Sequence, residues 1–354
     1  MRICIIASSR FPVAEPFAGG LEAHTHTLAR SLQARGHTVS LFAAPGSDPS
    51  LMTEALDVER FESSAEARAD VGAPPEGWMR EHHAYLGLMM ELARTGADRF
   101  DVVHNNSLHH LPVAMAELLD VPMVTTLHTP PTVWLESAVR FAPSTTFAAV
   151  SRDTAARWEG VAHPRVILNG VDTEQWSFGP GGSDAVWFGR IVPEKAPHVA
   201  IDAARLAGMR LQLAGPVHDP GYFAREIEPR LGDDIRYVGH LAVEELAALV
   251  GRSAVAVVTP AWPEPYGLVA AEAMACGTPI AAVAVGALPE LVTPASGRLA
   301  PLGDLAALAV AMQEAAQLSR RETRRHALEH CSVDTMVDSY ERLYSELSLE
   351  VCAA

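Results

Sequence analysis

Two long cations follow a short apolar run in the second half of the sequence. Gly189 and Arg190 come directly after the run Ala185–Phe188, and Lys195 lies a few residues further along. A planar guanidinium and a compact ammonium at one strand end can neutralise the negative charge of a departing diphosphate. The pattern therefore predicts a phosphate clamp, with two ordinary surface cations as the alternative.

A single carboxylate interrupts an apolar segment further along the chain. Glu272 is the only charged residue between Gly267 and Gly277, and a buried, ionised carboxylate needs a polar partner. The hydroxyl pair of a ligand would be such a partner, and a bond to the protein itself is the alternative. Glu264 lies just before this segment. Its carboxylate and the free N–H groups at the helix start, such as those of Gly267 and Leu268, would converge on a polyol phosphate.

Paired glycines occur near the amino terminus, between the apolar run Ile3–Ala7 and a helix whose leucines lie on one face. Gly19 and Gly20 let the backbone come close to a ligand, and the helix start that follows offers N–H groups to an anion. A plain loop is the alternative interpretation of this pair.

Histidines are frequent in the first half of the chain, where His109 and His110 fall near the end of a predicted strand. No histidine spacing matches a zinc site well, and no Asp-x-Asp motif is present to hold a divalent ion against a diphosphate. The sequence thus predicts no metal cofactor. His109 and His110 are candidates for lining an acceptor pocket, with surface or packing roles as the alternative.

Short apolar runs rich in β-branched residues alternate with segments of helical periodicity in both halves of the chain. This alternation predicts two parallel sheets, whose ligand crevices lie at the carboxyl ends of the strands. The predicted strands are Ile3–Ala7, Thr38–Ala43, Val102–His104, Met123–Leu127 and Phe147–Val150, and then Ala185–Phe188, Leu211–Ala214, Ile235–Val238, Val255–Thr259 and Ile280–Val283.

Turn residues without periodicity occupy 173–184 and predict a linker between a first domain at 1–172 and a second domain at 185–332. The segment 333–349 has apolar residues at three- and four-residue spacing and predicts one amphipathic helix. The basic run Arg320, Arg321, Arg324 and Arg325 has helical spacing and predicts a solvated helix face.

Length and charge exclude several classes of function. A chain of 354 residues is too long for one domain with a single hydrophobic core, so we expect two domains. Its formal net charge of −16 repels nucleic acid and anionic lipid. We therefore expect neither a nucleic-acid partner nor membrane association. The four cysteines form no Cys-x-x-Cys pair, and no apolar run is long enough for a signal peptide or a bilayer span, so the sequence predicts a cytoplasmic protein. Oligomeric state is left open.

The motifs taken together resemble a known family. Glu264 and Glu272, separated by seven residues, are similar to the paired-glutamate signature of the retaining GT-B glycosyltransferases (glycosyltransferase family four, or glycosyl transferases group 1). The resemblance covers nearly the whole chain, and its other segments are Gly19–His24, Arg35–His37, Leu127–His128, Ala149–Ser151, Asn169–Asp172 and Gly286–Glu290. Three residues stand where the family more often has glycine, phenylalanine and glycine: Ala196, Tyr266 and Ala287.

The resemblance implies an α/β fold of GT-B architecture, in which two Rossmann-like domains face each other across a deep cleft and the last helix, 333–349, packs back on the first domain. It implies transfer of a hexose-type sugar from a nucleotide diphosphate sugar, UDP in preference to GDP, to a hydroxyl acceptor on a small molecule, glycan or glycoside. Retention of anomeric configuration and independence of metal or other cofactors are implied as well. A sugar nucleotide epimerase and a non-catalytic sugar-nucleotide-binding protein are the alternatives.

The resemblance also implies a role for each candidate residue. Arg190 and Lys195 would hold the diphosphate. Glu264 would hold the donor sugar, Glu272 the ribose hydroxyls, and His128 would touch the sugar near its reacting face. The remaining donor-site residues implied are Gly19, Gly20, Gly189, Tyr266, Gly267, Leu268 and Val269, and the residues implied on the acceptor side are His24, His109 and His110.

Overall fold

Two parallel β-sheets, one in each half of the chain, carry the loops that form the site. The computed structural model describes residues 1–56 and 63–353. The first sheet has the strand order β3-β2-β1-β4-β5-β6-β7 and the second the order β10-β9-β8-β11-β12-β13, and all neighbouring strands are parallel. The strands are β1 (Arg2–Ile6), β2 (Thr38–Ala43), β3 (Thr53–Ala55), β4 (Val102–Asn105), β5 (Met123–Leu127), β6 (Thr146–Ala149), β7 (Arg165–Val166), β8 (Ala185–Phe188), β9 (Leu211–Ala214), β10 (Ile235–Tyr237), β11 (Val255–Val258), β12 (Ile280–Val283) and β13 (Gly297–Ala300).

Helices connect these strands. They are α1 (Gly20–Ala34), α2 (Ala65–Arg68), α3 (Glu76–Arg99), α4 (His110–Ala114), α5 (Val133–Phe141), α6 (Arg152–Trp158), α7 (Pro197–Ala207), α8 (Pro220–Tyr222), α9 (Val243–Gly251), α10 (Leu268–Ala275), α11 (Leu288–Leu291), α12 (Leu305–Ala315), α13 (Arg320–His330) and α14 (Val333–Ala353). Within the described residues, no helix combines the length and the apolar character needed to cross a lipid bilayer.

The first strand shows why both faces of each sheet must be covered. Successive residues of a strand point to opposite faces. Ile3 and Ile5 pack in one hydrophobic cluster with α1 and α14, whereas Cys4 and Ile6 pack in another with α3. All four side chains are fully buried. A continuous apolar run of this kind fits a parallel sheet covered by helices on both sides, and the predicted α/β architecture of two parallel-sheet domains is confirmed.

Three strands are present that the apolar runs do not predict: β3, β7 and β13. All three lie at the edge of a sheet. An edge strand pairs on one side only and is less buried, so its sequence need not be a continuous apolar run. Both residues of β7, Arg165 and Val166, are exposed, and Glu54 in β3 is exposed as well.

The last helix packs on the first sheet, far from it in sequence. Its apolar side chains, among them Val337, join the hydrophobic cluster of the first domain. Two buried hydroxyl groups fix it further: Tyr344 Oη lies 2.6 Å from His104 Nδ1, and Tyr340 Oη lies 2.9 Å from Thr126 Oγ1. These bonds join α14 to β4 and β5, so the end of the chain completes the first domain.

The chain passes between the domains at two adjacent points. Val171 N donates to Cys331 O at 2.8 Å, and Val333 N donates to Val171 O at 3.0 Å. Gly170 permits this approach, because a Cβ at that position would lie 2.5 Å from Val333 Cα. The two crossings are thus hydrogen-bonded side by side and form a single joint between the domains.

The basic run on α13 is not a uniformly solvated face. Arg320 donates to the carbonyl of Gly251 at 2.8 Å, and Arg324 donates to the linker carbonyls of Thr173 and Trp176 at 3.0 Å each. The two guanidinium groups therefore bind carbonyl groups at a helix end and in the linker, and the carbonyl of Gly251 also accepts from Gly181 N at 2.9 Å. The prediction is therefore wrong for these two arginines, while the other two in the run are exposed.

Candidate active site

A cavity of about 330 Å³ lies where the carboxyl ends of the two sheets face each other. Most of the residues that line it follow β1, β4, β5, β6 and β7 in the first domain and β8, β9, β10 and β11 in the second. Twelve of the predicted site residues are among them: Gly19, Gly20, His128, Gly189, Arg190, Lys195, Glu264, Tyr266, Gly267, Leu268, Val269 and Glu272. His24, His109 and His110 lie outside this lining.

Lys195 and Glu264 form an ion pair inside the cavity. Lys195 Nζ lies 2.5 Å from Glu264 Oε2, and both side chains are largely buried, with 24% and 12% of their surface exposed. The ammonium also lies 5.7 Å from the ring centre of Trp262, which places it over an electron-rich face. The positive and the negative group are therefore held together at one point of the cavity wall.

The backbone of Glu264 is fixed by the loop before α11. Ala287 N donates to Glu264 O at 2.8 Å. Gly286 has a φ of +58°, and a Cβ there would lie 2.2 Å from the same carbonyl oxygen. Glycine is required at this position both for the left-handed backbone and for the close approach. This contact is not evident from sequence alone, because Gly286 and Glu264 are joined only by the fold.

The start of α10 points into the cavity next to Glu264. Gly267 has a φ of +94° and precedes the helix without giving a side-chain cap. The N–H groups of the first turn, at Leu268 and Val269, belong to residues that line the cavity. One turn later, burial raises the pKa of Glu272 to about 8. The helix thus presents N–H groups and a carboxyl group of unusually low acidity to the same space.

Arg190 also lines the cavity and lies close to the glycine pair of the first domain. A Cβ at Gly19 would be 3.7 Å from Arg190 Cδ and Nε. A Cβ at Gly20 would lie 3.0 Å from a methyl group of Leu268, so the starts of α1 and α10 meet across the cleft. Beneath Arg190, Gly215 has a φ of +139°, and a Cβ there would lie 1.9 Å from Gly189 O. Only glycine allows these two loops to touch.

His128 is held in a fixed orientation by Asn106, a residue that belongs to none of the sequence motifs. Its Nε2 lies 2.7 Å from Asn106 Oδ1. With the amide oxygen of Asn106 facing the ring, Nε2 donates and Nδ1 is left to accept. Burial lowers the pKa of His128 well below 6.5, which keeps the ring neutral. A short polar run at the end of a predicted strand was the only signal for Asn106.

His24 packs against His128, with ring centres 5.0 Å apart. It is 2% exposed, and neither ring nitrogen has a hydrogen-bond partner within the described structure. Burial lowers its pKa to about 4. It lines a smaller neighbouring cavity of about 30 Å³ that Glu272 also borders. His24 is therefore behind the main cavity, and the acceptor role predicted for it remains a prediction.

His109 and His110 lie beside the cavity, in a group of aromatic rings. Their neighbour Leu108 lines the cavity, but the two imidazoles face His82 of α3 instead, with ring centres 6.0 and 5.9 Å from it. Burial lowers the pKa of His109 to about 3. The acceptor role of this pair also stays a prediction.

Two parallel-sheet domains that face each other across a cleft bearing cations and an uncapped helix start define the GT-B class of glycosyltransferases. Solved structures share this fold. HepE of Anabaena, in complex with UDP and glucose, superposes with a TM-score of 0.76 at 21% identity, covering 98% of this chain and 100% of that chain. Sucrose-phosphate synthase from Thermosynechococcus elongatus gives a TM-score of 0.76 at 21% identity, with 98% of each chain covered.

Sequence comparison identifies the family. Residues 18–175 match the model of Glycosyltransferase Family 4, and residues 173–329 match that of Glycosyl transferases group 1. Glycogen synthase of Mycobacterium tuberculosis is 30% identical over 97% of this chain and 94% of that protein. D-inositol 3-phosphate glycosyltransferase of Mycolicibacterium paratuberculosis is 29% identical over 99% and 92%. The chain belongs to glycosyltransferase family 4 and is a glycosyltransferase, which confirms the resemblance seen in the motifs.

Proposed function

We propose that the chain transfers a hexose-type sugar from a UDP-sugar to a hydroxyl acceptor, with retention of anomeric configuration and without a divalent metal at the diphosphate. The observation that supports this most strongly is the convergence of Arg190, Lys195, Glu264 and the start of α10 on one cavity. These groups supply positive charge, a hydrogen-bond acceptor and backbone donors within the space of a single ligand.

The charge in this cavity suits a departing diphosphate. When the bond between the anomeric carbon and the phosphate oxygen breaks, its electron pair goes to the diphosphate and positive charge develops on the sugar ring. Arg190, Lys195 and the first-turn N–H groups of α10 stabilise the negative partner. Among the described residues lining the cavity, the carboxylates are Glu264 and Glu272. Glu264 is already paired, so the cations of the chain fit the diphosphate better than a divalent ion, which needs several oxygen ligands.

Glu264 and Glu272 fit two different parts of the donor. Glu264 can accept hydrogen bonds from the hydroxyls of the sugar while Lys195, its partner, turns toward the phosphate. Glu272 lies a helix turn further along, where its carboxyl group can bond the ribose hydroxyls. Burial next to an open cavity leaves that carboxyl group in need of such polar partners.

His128 fits a role beside the reacting sugar. Because the ring is neutral, it adds no positive charge next to the positive charge that develops on the sugar. Asn106 fixes the ring so that Nδ1 can accept a hydrogen bond from a sugar hydroxyl. The acceptor hydroxyl then attacks the anomeric carbon from the face that the diphosphate leaves. Its proton passes to the departing phosphate oxygen, and the new carbon–oxygen bond keeps the original configuration.

Three findings favour the finer points of this proposal. HepE, which shares the fold, is crystallised with UDP-glucose, and this favours a UDP donor here. Leu108 and Thr129 line the cavity from the first domain, so an acceptor hydroxyl would approach from that side. The described cysteines Cys4, Cys276 and Cys331 are free thiols, which accords with a cytoplasmic site of action.

The test is a donor panel with purified protein. Thermal shift with UDP-glucose, UDP-galactose and GDP-mannose should show the largest stabilisation with a UDP-sugar. With that donor and a panel of sugar and polyol acceptors, UDP release should persist in EDTA, and NMR of the product should show the donor's anomeric configuration. Loss of turnover in EDTA, or an inverted product, would contradict the proposal. Conversion of donor alone to a different nucleotide sugar would indicate an epimerase instead.

A further inference from the structure

Three histidine side chains from separate parts of the first domain converge beside the cleft. His82 lies on α3, while His109 precedes α4 and His110 begins it. One ring nitrogen from each lies within 4.8 Å of the corresponding nitrogen of the others. In sequence the three form no recognisable spacing, because α3 reaches the other two only through the fold of the sheet.

The separation of the rings matches coordination of one ion. The ring centre of His82 lies 6.0 Å from that of His109 and 5.9 Å from that of His110. The ring centres of His109 and His110 are 4.4 Å apart. Two imidazoles bound to one tetrahedral zinc ion, with Zn–N distances of about 2.0 Å, have ring centres roughly 5 Å apart. The observed values lie on both sides of that figure, and each is within about 1 Å of it.

Each imidazole is packed against an aromatic ring that restricts its orientation. Trp78 stacks on His82 with centres 5.1 Å apart, and Tyr85 stacks on His109 at 4.5 Å. Trp134 stacks on His110 at 5.3 Å. His109 and His110 also stack on each other, with ring centres 4.4 Å apart and planes inclined by 28°, and a ring nitrogen of each still lies within 4.8 Å of one on His82. Such an apolar surround also favours the neutral form that binds metal.

The nitrogens of the cluster are only partly satisfied by the protein. Nδ1 of His82 is buried without a hydrogen-bond partner in the described structure. Nδ1 of His109 accepts from Leu111 N at 3.2 Å. Coordination through the other nitrogen of His109 would place the ring proton on Nδ1, and this long bond would then be given up. The cluster thus brings together three imidazole rings, and a buried nitrogen of one of them, His82, has no hydrogen-bond partner in the described structure. A metal ion could take up the lone pairs of these rings.

We propose that His82, His109 and His110 bind one divalent transition-metal ion. Imidazole nitrogens suit Zn²⁺, Co²⁺, Ni²⁺ and Cu²⁺, and they do not suit Mg²⁺ or Ca²⁺, which prefer oxygen ligands. Three protein ligands leave the fourth position of a tetrahedral ion for water or a hydroxyl group. The nearby carboxylate of Glu81 is bonded to Ser9 Oγ at 3.2 Å and lies 3.5 Å from Arg10 Nε, so it is already engaged elsewhere.

A bound ion would join α3 to α4 next to Leu108, which lines the cleft. It would thus stiffen the wall of the first domain from which the acceptor approaches. The histidine cluster is separate from the diphosphate region. Metal binding there and sugar transfer without a metal at the diphosphate are therefore tested independently.

The experiment uses full-length protein without an affinity tag, stripped with EDTA and exchanged into chelator-free buffer. Co²⁺ is added while the visible absorption of the ion is followed, and Zn²⁺ is then used to displace it. We expect saturation at one ion per chain, and a rise in melting temperature with Zn²⁺ but not with Mg²⁺. His82→Ala and His110→Ala should each weaken Co²⁺ binding by at least about tenfold.

The control is His163→Ala, which removes an exposed histidine outside the cluster and should leave binding unchanged. Circular dichroism and the melting temperature in EDTA show whether each variant is folded. His82→Gln and His110→Gln, which keep a polar side chain of similar size, serve if the alanine variants do not fold. No saturable Co²⁺ binding, or equal binding by wild type and folded cluster variants, would overturn the proposal.

Discussion

The carboxyl group of Glu272 makes a sharp prediction about pH. Its pKa rises from the ordinary 4.5 to about 8 because it is buried. Between these two values the folded chain holds a proton that the unfolded chain releases. Stability attributable to this group is therefore complete below about pH 4.5 and declines as pH rises toward 8. Glu272→Gln removes the titration and keeps the size and polarity of the side chain.

The magnitude follows from the size of the change. Each pKa unit corresponds to about 1.36 kcal/mol, so a rise of about 3.5, from 4.5 to about 8, gives a ceiling of about 5 kcal/mol. The carboxyl group borders the cavity, where water can partly solvate it. We therefore expect wild type to lose roughly 2–4 kcal/mol relative to Glu272→Gln between pH 5 and pH 9, the upper value being what the two pKa values allow over this range.

Urea unfolding at pH 5, 7 and 9 measures this difference directly, and comparison with the variant cancels the effects of every other titrating group. Glu244→Gln, at an exposed position, is the matched control and should show the same pH dependence as wild type. A second measurement tests the donor contact. If ribose hydroxyls bind the ionised carboxylate of Glu272, UDP binding at pH 7 should release close to one proton from wild type and none from Glu272→Gln. Calorimetry in buffers of different ionisation enthalpy measures this proton release. Parallel stability curves for wild type and Glu272→Gln would refute the reasoning.

Four further substitutions test the site and the backbone around it. Lys195→Ala should lower kcat by about 10²–10³ while changing the Kd for UDP much less, and Arg190→Ala should act in the same direction; equal losses in both constants would indicate uniform binding instead. Gly286→Ala should lower both stability and kcat, since its Cβ would meet Glu264 O; Gly303→Ala, which has a similar left-handed backbone but open space around it, should lower stability alone. Ala196→Gly should raise the Tm by about 2 °C, because Ala196 has a φ of +46° and a left-handed alanine costs more than glycine, and an unchanged or lower Tm would show that this backbone is not strained.

The sequence was sufficient for the parts of the fold that depend on burial. The central strands are apolar on both faces and therefore recognisable, as β1 shows. The edge strands β3, β7 and β13 escaped because pairing on one side relaxes the requirement for apolar residues. The role of Arg320 escaped for a different reason. Its partners are carbonyl groups at helix ends, and helical spacing alone does not indicate whether such groups lie nearby.

The site was predictable where chemistry follows a strand in sequence. Arg190, Lys195 and Glu264 lie in the loops that follow β8 and β11, and parallel topology brings the carboxyl ends of those strands together. Contacts between distant segments carried no such signal. Asn106 reaches His128 across neighbouring strands, and His82 reaches His109 from another helix. No sequence motif marks these residues, and their contacts arise only from the packing of the strands and helices that carry them.

The return of α14 to the first sheet has a consequence for how this protein is made. The second domain is in effect inserted into the first, whose hydrophobic cluster takes Tyr340 and Tyr344 from the final helix. During translation, one face of the amino-terminal sheet is covered by α1 but not by α14 until the helix Val333–Ala353 leaves the ribosome. The second domain, whose strands and helices are contiguous in the chain, can condense earlier. The first domain is therefore synthesised first but completes its fold after the second domain.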